Sequence, residues 1–248
     1  MRILALDSSG LVASVALVED DLLLGEYSTN FHKTHSTTLL PMLDELMRML
    51  SLDIQKADID AIAVAKGPGS FTGLRIGAAT AKGLAFALGI PIVPVSTLAG
   101  LAFNLWGAEG NICPLMDARR NQTYTGIYQF VTQNTHGTGK GQPNLETVME
   151  PCAVDILEIV GQLNEQGGPV TFLGDGVPVF AEYIHDRCIV PYCFAPASAN
   201  RQRAASVGAY AVSLLSDDET AAVPGDRFAP DYLRLSQAER ERLEKNGQ

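Results

Sequence analysis

No apolar run in this 248-residue chain approaches the ~18 residues that a membrane-crossing helix needs. No basic leader precedes the first apolar strand, "RILALD". These absences give the expectation of a cytoplasmic protein with neither signal peptide nor membrane contact. Cysteine is scarce as well. Cys113, Cys152, Cys188 and Cys193 form no C-x-x-C pair, too few for a disulfide scaffold and in keeping with reduced thiols. Charged residues make up only 19% of the chain, and without long charge runs disorder is expected only near the ends. The charge leans acidic, at −10 net. A protein that grips nucleic acid unaided needs a basic footprint. Here the basic clusters are "ARR" at 118–120, "RQR" at 201–203 and the mixed tail "AERERLEK". If RNA is involved, another molecule supplies most of the positive surface.

A hydrophobic content of 46% is ample for one large domain or two small ones. "RILALDSS", "VASVALVED" and "DLLLGEYS" read as three strands joined by short turns. "HSTTLLPMLDELMRML" is helical in period, with Pro41 expected near the first turn. "IDAIAVAKG" is a buried strand, followed by a helix to about Leu88, the strand "PIVPVS" and a short helix "TLAGLAFNLW". The pattern then restarts. "NICPLMDARRNQTYTGIYQF" is again apolar run, Asp, polar turn and alternating strand, so Asp7 and Asp117 hold matching places. "VTFLGDGVPVFAEYI" echoes "IAVAKGPGSFTGLRI". Two similar halves predict duplicated α/β domains with a cleft between them. Their bounds are expected at 1–107 and 108–248, with a late helix over 203–216 that could pack back on the first half. "QNTHGTGKGQP", from Gln133 to Pro143, reads as a flexible loop, and the end of the chain as a frayed tail.

The glycine-rich stretch "KGPGSFTGLRIGAATAKGLA" from Lys66 to Ala85 poses the functional question. It fits neither G-x-x-x-x-G-K-S/T nor G-x-G-x-x-G, because Gly67, Gly69 and Gly73 are spaced one residue too long for the latter. An anion at the helix start is a secondary possibility, weakened by Pro68, which lacks an N–H. The helix itself carries Gly73, Gly77, Ala81 and Ala85 every fourth residue. Such a stripe lets another helix approach closely. It is beside the ridge Ile76, Thr80, Leu84 and Leu88. The preceding helix shows Leu39, Leu43, Leu46 and Leu50 on one face and Met42 and Met49 on another. A helix apolar on two sides is deeply buried or docked to a partner. The expected docking residues are Leu39, Met42, Leu43, Leu46, Gly73, Gly77, Thr80 and Ala81, with Arg75 as a polar anchor.

Candidate chemistry is thin. His32 and His35 form H-x-x-H without a third ligand, and reading them as a solvated turn or helix entry is favoured over a metal site. His136 and His185 have no evident partner. Asp7, Ser8 and Ser9 could position Mg²⁺ and phosphate at the sheet edge or simply form a hairpin turn. Gly174 and Gly176 of "GDG" are equally divided between a nucleotide-facing turn and a strand exit. No G-x-S-x-G is present, and no nucleophile lies beside a base.

"ILALDSS", "HSTTLLPMLDELM", "VAKGPGSFTGLRIGAATAKGLA", "PIVPVSTLAGLA", "MDARRNQTYTGIY" and "PDYLRLSQAE" together resemble the TsaB (YeaZ) family. Its members are bacterial accessory proteins of tRNA threonylcarbamoyladenosine synthesis. The resemblance implies two duplicated ribonuclease-H-like domains of the actin-like ATPase (ASKHA) superfamily. It also implies a non-catalytic scaffold that binds and activates TsaD. That paralogue transfers threonylcarbamoyl to the adenosine beside the anticodon of tRNAs reading ANN codons. Where TsaD has H-x-E-G-H this chain resembles it only in Gly100; Thr97 and Leu101 replace the two metal-binding histidines, so no catalytic residue and no metal are expected. The family pairs with TsaD, or with itself, through the first two long helices. TsaE, an ATPase, joins the pair, and TsaC makes the adenylate. No cofactor is implied for this chain, ATP or ADP belonging to the partner subunits, and tRNA contact is indirect. The competing reading is an enzyme acting alone: a weak ATPase using Asp7, Ser8 and the Gly174–Gly176 turn, or a glycoprotease-like peptidase. A third is a purely structural homodimer.

Overall fold

The computed structural model describes residues 1–30, 35–132 and 143–233. His32, His136, the loop over 133–142 and the tail from Arg234 lie outside the described residues; Pro143 begins a strand.

The first half runs β1 (Arg2–Asp7), β2 (Ala13–Glu19), β3 (Leu22–Thr29), α1 (His35–Met49), β4 (Ala61–Gly67), α2 (Phe71–Leu88), β5 (Ile92–Ser96) and α3 (Thr97–Ala102). The second repeats it with β6 (Asn111–Asp117), β7 (Gln122–Thr132), β8 (Pro143–Asp155), α4 (Ile156–Gln166), β9 (Val170–Leu173), α5 (Val177–Arg187), β10 (Tyr192–Phe194) and α6 (Ala204–Asp217). The two five-stranded sheets share one topology, β3-β2-β1-β4-β5 and β8-β7-β6-β9-β10. In each, the first three strands are antiparallel and the last two parallel, with Leu4 opposite Leu17 on one side and Ile62 on the other. The expected duplication is present strand for strand.

Alternation along β1 explains the layers, because successive side chains point to opposite faces. Leu4 and Leu6 pack with Leu39, Leu43 and Leu46 of α1 and with Ala78, Ala81 and Ala85 of α2. Ile3 and Ala5 face the other way, onto Ala204, Val207 and Ala211 of α6. The second sheet does the same. Cys113 and Leu115 pack against α4 and α5, while Ile112 and Met116 pack against Leu98, Leu101 and Ala102 of α3. Each half therefore lends its last helix to the other: α6 covers the first sheet and α3 the second. The two lent helices meet where a methyl on Gly100 would come 3.2 Å from Val207 Cγ2. This exchange joins the halves through a shared apolar layer.

Pro41 lies in the second turn of α1, not in the first as expected. The short helix after β5 stops at Ala102 and tightens into a 3₁₀ turn, Phe103–Leu105. Helix α2 begins with Ser70, whose hydroxyl accepts from Gly73 N at 3.3 Å, and ends on Gly89 at φ 70°, the left-handed cap that glycine adopts without strain.

Candidate docking face and paired turn clusters

The stripe Gly73, Gly77, Ala81 and Ala85 does not form an outer surface. All four residues are buried against the first sheet. A methyl on Gly73 would sit 2.0 Å from Ser8 O, and one on Gly77 would sit 2.6 Å from Ser8 Oγ. These glycines let α2 lie directly on the β1–β2 turn. Leu39, Leu43 and Leu46 are sealed in the core at 1%, 4% and 2% exposure. Six of the nine expected docking residues are therefore corrected to core positions: Leu39, Leu43, Leu46, Gly73, Gly77 and Ala81. Met42 and Thr80 are half-buried and Arg75 is exposed.

The outer face of α2 carries a second small-residue stripe, two positions along. Arg75, Ala79, Gly83 and Ala87 are all exposed, and Phe86 beside them is 91% exposed. A methyl on Gly83 would meet nothing within 4 Å. On α1, Leu40 and Met49 are exposed, while Met42 of α1 and Ile76 and Leu84 of α2 pack half-buried onto the core from outside. The sequence offered this stripe with the same four-residue period. Two such stripes on one helix are indistinguishable until the sheet chooses one.

The sheet-end turns form two clusters, one in each half. In the first, Asp7 is buried, and Ser9 donates to its Oδ1 from both N and Oγ, at 2.8 and 2.6 Å. Burial pushes the Asp7 carboxyl up to about 6, against the pull of Ser9 and His35. Ser8 Oγ donates to Gly73 O at 2.9 Å, and Ser70 N donates to Ser9 O at 2.7 Å. At the α2 N-terminus Ser70 N is thus taken by Ser9 O and Gly73 N by Ser70 Oγ. His35 Nε2 bonds Gly10 O at 2.9 Å, which is the helix-entry role.

In the second cluster, Gly174 has φ 111°, and a methyl there would sit 2.1 Å from Leu115 O. Gly176 N donates to that same oxygen at 2.9 Å. Burial raises the Asp175 carboxyl, with Asp117 adding to the effect and Arg201 opposing it. The possible nucleotide-facing residues Asp7, Ser8, Ser9, Gly174 and Gly176 are all buried and hydrogen-bonded or packed within the monomer, as the alternative turn and strand-exit reading has them. Each cluster is sealed by the opposite half: Gln202 packs on Gly10, and Leu101 packs on Gly174. Thr97 and Leu101, the positions matching the TsaD histidines, lie in the core at 0% and 1% exposure. Among the described residues no three His, Cys, Asp or Glu side chains gather as a metal-ligand group, and no helix is long and apolar enough to cross a membrane.

Two five-stranded sheets of identical order, each flanked by helices, define a duplicated α/β protein. Residues 27–242 match the family described as TsaD, tRNA N6-adenosine threonylcarbamoyltransferase. The chain is 36% identical to the tRNA threonylcarbamoyladenosine biosynthesis protein TsaB of Bacillus subtilis (strain 168), covering 98% of this chain and 99% of that one. It is 35% identical to the protein of the same name from Escherichia coli (strain K12), over 61% of this chain and 63% of that one. The solved structure of YeaZ from Pseudomonas aeruginosa superposes with a TM-score of 0.72 at 26% identity, covering 94% of this chain and 99% of that one. The chain belongs to the TsaB (YeaZ) family of tRNA threonylcarbamoyladenosine biosynthesis proteins.

Proposed function

We propose that this chain is a non-catalytic accessory subunit that binds TsaD through the outer face of α1 and α2. It holds TsaD in the arrangement that transfers threonylcarbamoyl to the adenosine beside the tRNA anticodon. The observation that carries the reading is Gly83. Glycine inside a helix costs ~1 kcal/mol relative to alanine, and among the described residues nothing beyond its own helix turn lies within 4 Å of the place its side chain would occupy. A close-fitting partner helix supplies the missing reason, since small residues allow two helices to interlock. Phe86, 91% exposed, and the exposed Leu40 and Met49 supply apolar anchors. The net charge of −10 leaves tRNA binding to the partner. TsaE joins the assembled pair, ATP or ADP is held by the partners, and without TsaD the same face pairs two copies of this chain.

Calorimetric titration with TsaD tests the reading. The natural chain binds, and Gly83→Arg abolishes binding while its circular dichroism spectrum stays native. Binding retained by a folded Gly83→Arg variant would move the interface elsewhere.

A further inference from the structure

After α6 the chain returns across the first domain as a strap. Val223 and Ile92 exchange backbone hydrogen bonds at 2.7 and 2.8 Å, and Phe228 enters the core at 3% exposure. Asp231 N donates to Lys66 O at 2.7 Å, and its carboxylate pairs with Lys66 Nζ at 2.8 Å. A methyl on Gly67 would sit 2.3 Å from Asp231 O, so the strap lies flat on the glycine-rich turn. Beyond these anchors comes Tyr232. Its ring lies 4.9 Å from that of Phe71, the first residue of α2. The guanidinium of Arg75 lies 5.3 Å from the Phe71 centroid. Phe71 and Tyr232 stay partly open to solvent, at 37% and 44% exposure, so the stack is not core packing.

Arg75 heads the outer stripe that continues through Ala79 and Gly83. Among the described residues no carboxylate pairs with it. Its guanidinium is held against a ring, and among the described residues no hydrogen bond from it is formed. Arginine stacked in this way is arranged in advance for planar recognition of a carboxylate, and less conformational freedom is lost when the bond forms.

We infer that the C-terminal strap completes the docking face: Tyr232 fixes Phe71, Phe71 fixes Arg75, and Arg75 takes a carboxylate of TsaD. Tyr232 is a positioning residue that acts through Arg75. The inference rests on the docking of TsaD at the outer face of α2. It adds that the strap, through Tyr232, sets the strength and salt dependence of that docking.

Titration of TsaD with the full-length chain and its variants tests this. Arg75→Ala weakens binding about tenfold and flattens its dependence on salt, because the lost contact is ionic. Tyr232→Ala weakens it about threefold. The double variant is no weaker than Arg75→Ala alone, because the two residues act in series. Tyr232→Phe restores natural affinity, since the ring and not the hydroxyl makes the stack. The strap's other anchors keep each variant folded, which its unfolding midpoint checks. Natural affinity and salt slope in Tyr232→Ala or Arg75→Ala, with Gly83→Arg still abolishing binding, would overturn this inference and leave the docking reading intact. Full additivity of the two losses would also overturn it. A natural chain that does not bind TsaD removes both.

Discussion

Gly73 lies with its α-carbon against the carbonyl oxygen of Ser8, so closely that a methyl group would stand 2.0 Å from it. Gly83, ten residues further along the same helix, faces outward, with open space where its side chain would lie. Gly73 thus answers to a neighbour inside the monomer, while Gly83 has none there among the described residues.

Replacing each by alanine is expected to move stability in opposite directions. Gly73→Ala forces the β1–β2 turn away from α2 and costs about 3 kcal/mol, the upper end for overpacking, because the obstacle is backbone. Gly83→Ala removes chain entropy from the unfolded state and gains about 0.5–1 kcal/mol. Urea unfolding of both variants checks the signs.

Asp7 gives a pH dependence. Its folded-state value of about 6 stands above the reference 3.8, so the folded chain holds this proton more tightly than the unfolded one. The stabilising effect of protonation is full below about 3.8 and is lost as pH rises through 6. Asp7→Asn keeps an oxygen for Ser9 and cannot ionise. Its stability advantage over the natural chain is expected to widen between pH 5 and pH 7.5, by about 1.4 kcal/mol. A gap that stays constant over that range would show that Asp7 titrates normally.

The thiols divide by burial. Cys113 lies fully buried beside Thr125, and burial pushes its thiol up to about 12. Cys193 is exposed. A thiol-specific chromogenic reagent is expected to label Cys193 in the native chain within minutes and Cys113 only after unfolding.

The loan of α6 can be tested by truncation. A chain ended after Arg203 uncovers Ile3, Ala5, Val93 and Val95 on the first sheet, all at 0% exposure in the intact chain. It is expected to bind a hydrophobic dye and to lose cooperative unfolding. A monomeric, cooperatively folding fragment would show that the first half covers this face by itself.

Much of the fold was legible because its signals are local. The strand runs, the Asp7 and Asp117 positions and the match of "AKGPGSF" to "LGDGVPV" reported the duplication directly. Strand β8 was not legible: its burial is irregular, with Leu145 inside and Val148 exposed, so no clean alternation marks it. The return of the late helix α6 to the first half was among the expectations, but the loan of α3 to the second sheet was hidden because it depends on contacts far apart in sequence, such as Leu98 and Leu101 with Ile112 and Met116. The apolar stripes of α1 and α2 were legible, but most of the residues expected to face outward face the sheet. Gly73, Gly77 and Ala81 carry the same period as Arg75, Ala79 and Gly83, and only the close approach of Ser8 decides which set faces the sheet. The strap was invisible for a similar reason, since nothing near Tyr232 in the sequence announces Phe71.

The most direct measurement is reconstituted transfer of labelled threonylcarbamoyl from its adenylate to tRNA. With TsaD and TsaE present, adding the natural chain is expected to start turnover. The chain alone gives none, and Gly83→Arg fails to start it. Transfer by this chain without TsaD, or full turnover with a folded Gly83→Arg variant, would contradict the assignment of a non-catalytic subunit acting through the outer face of α2.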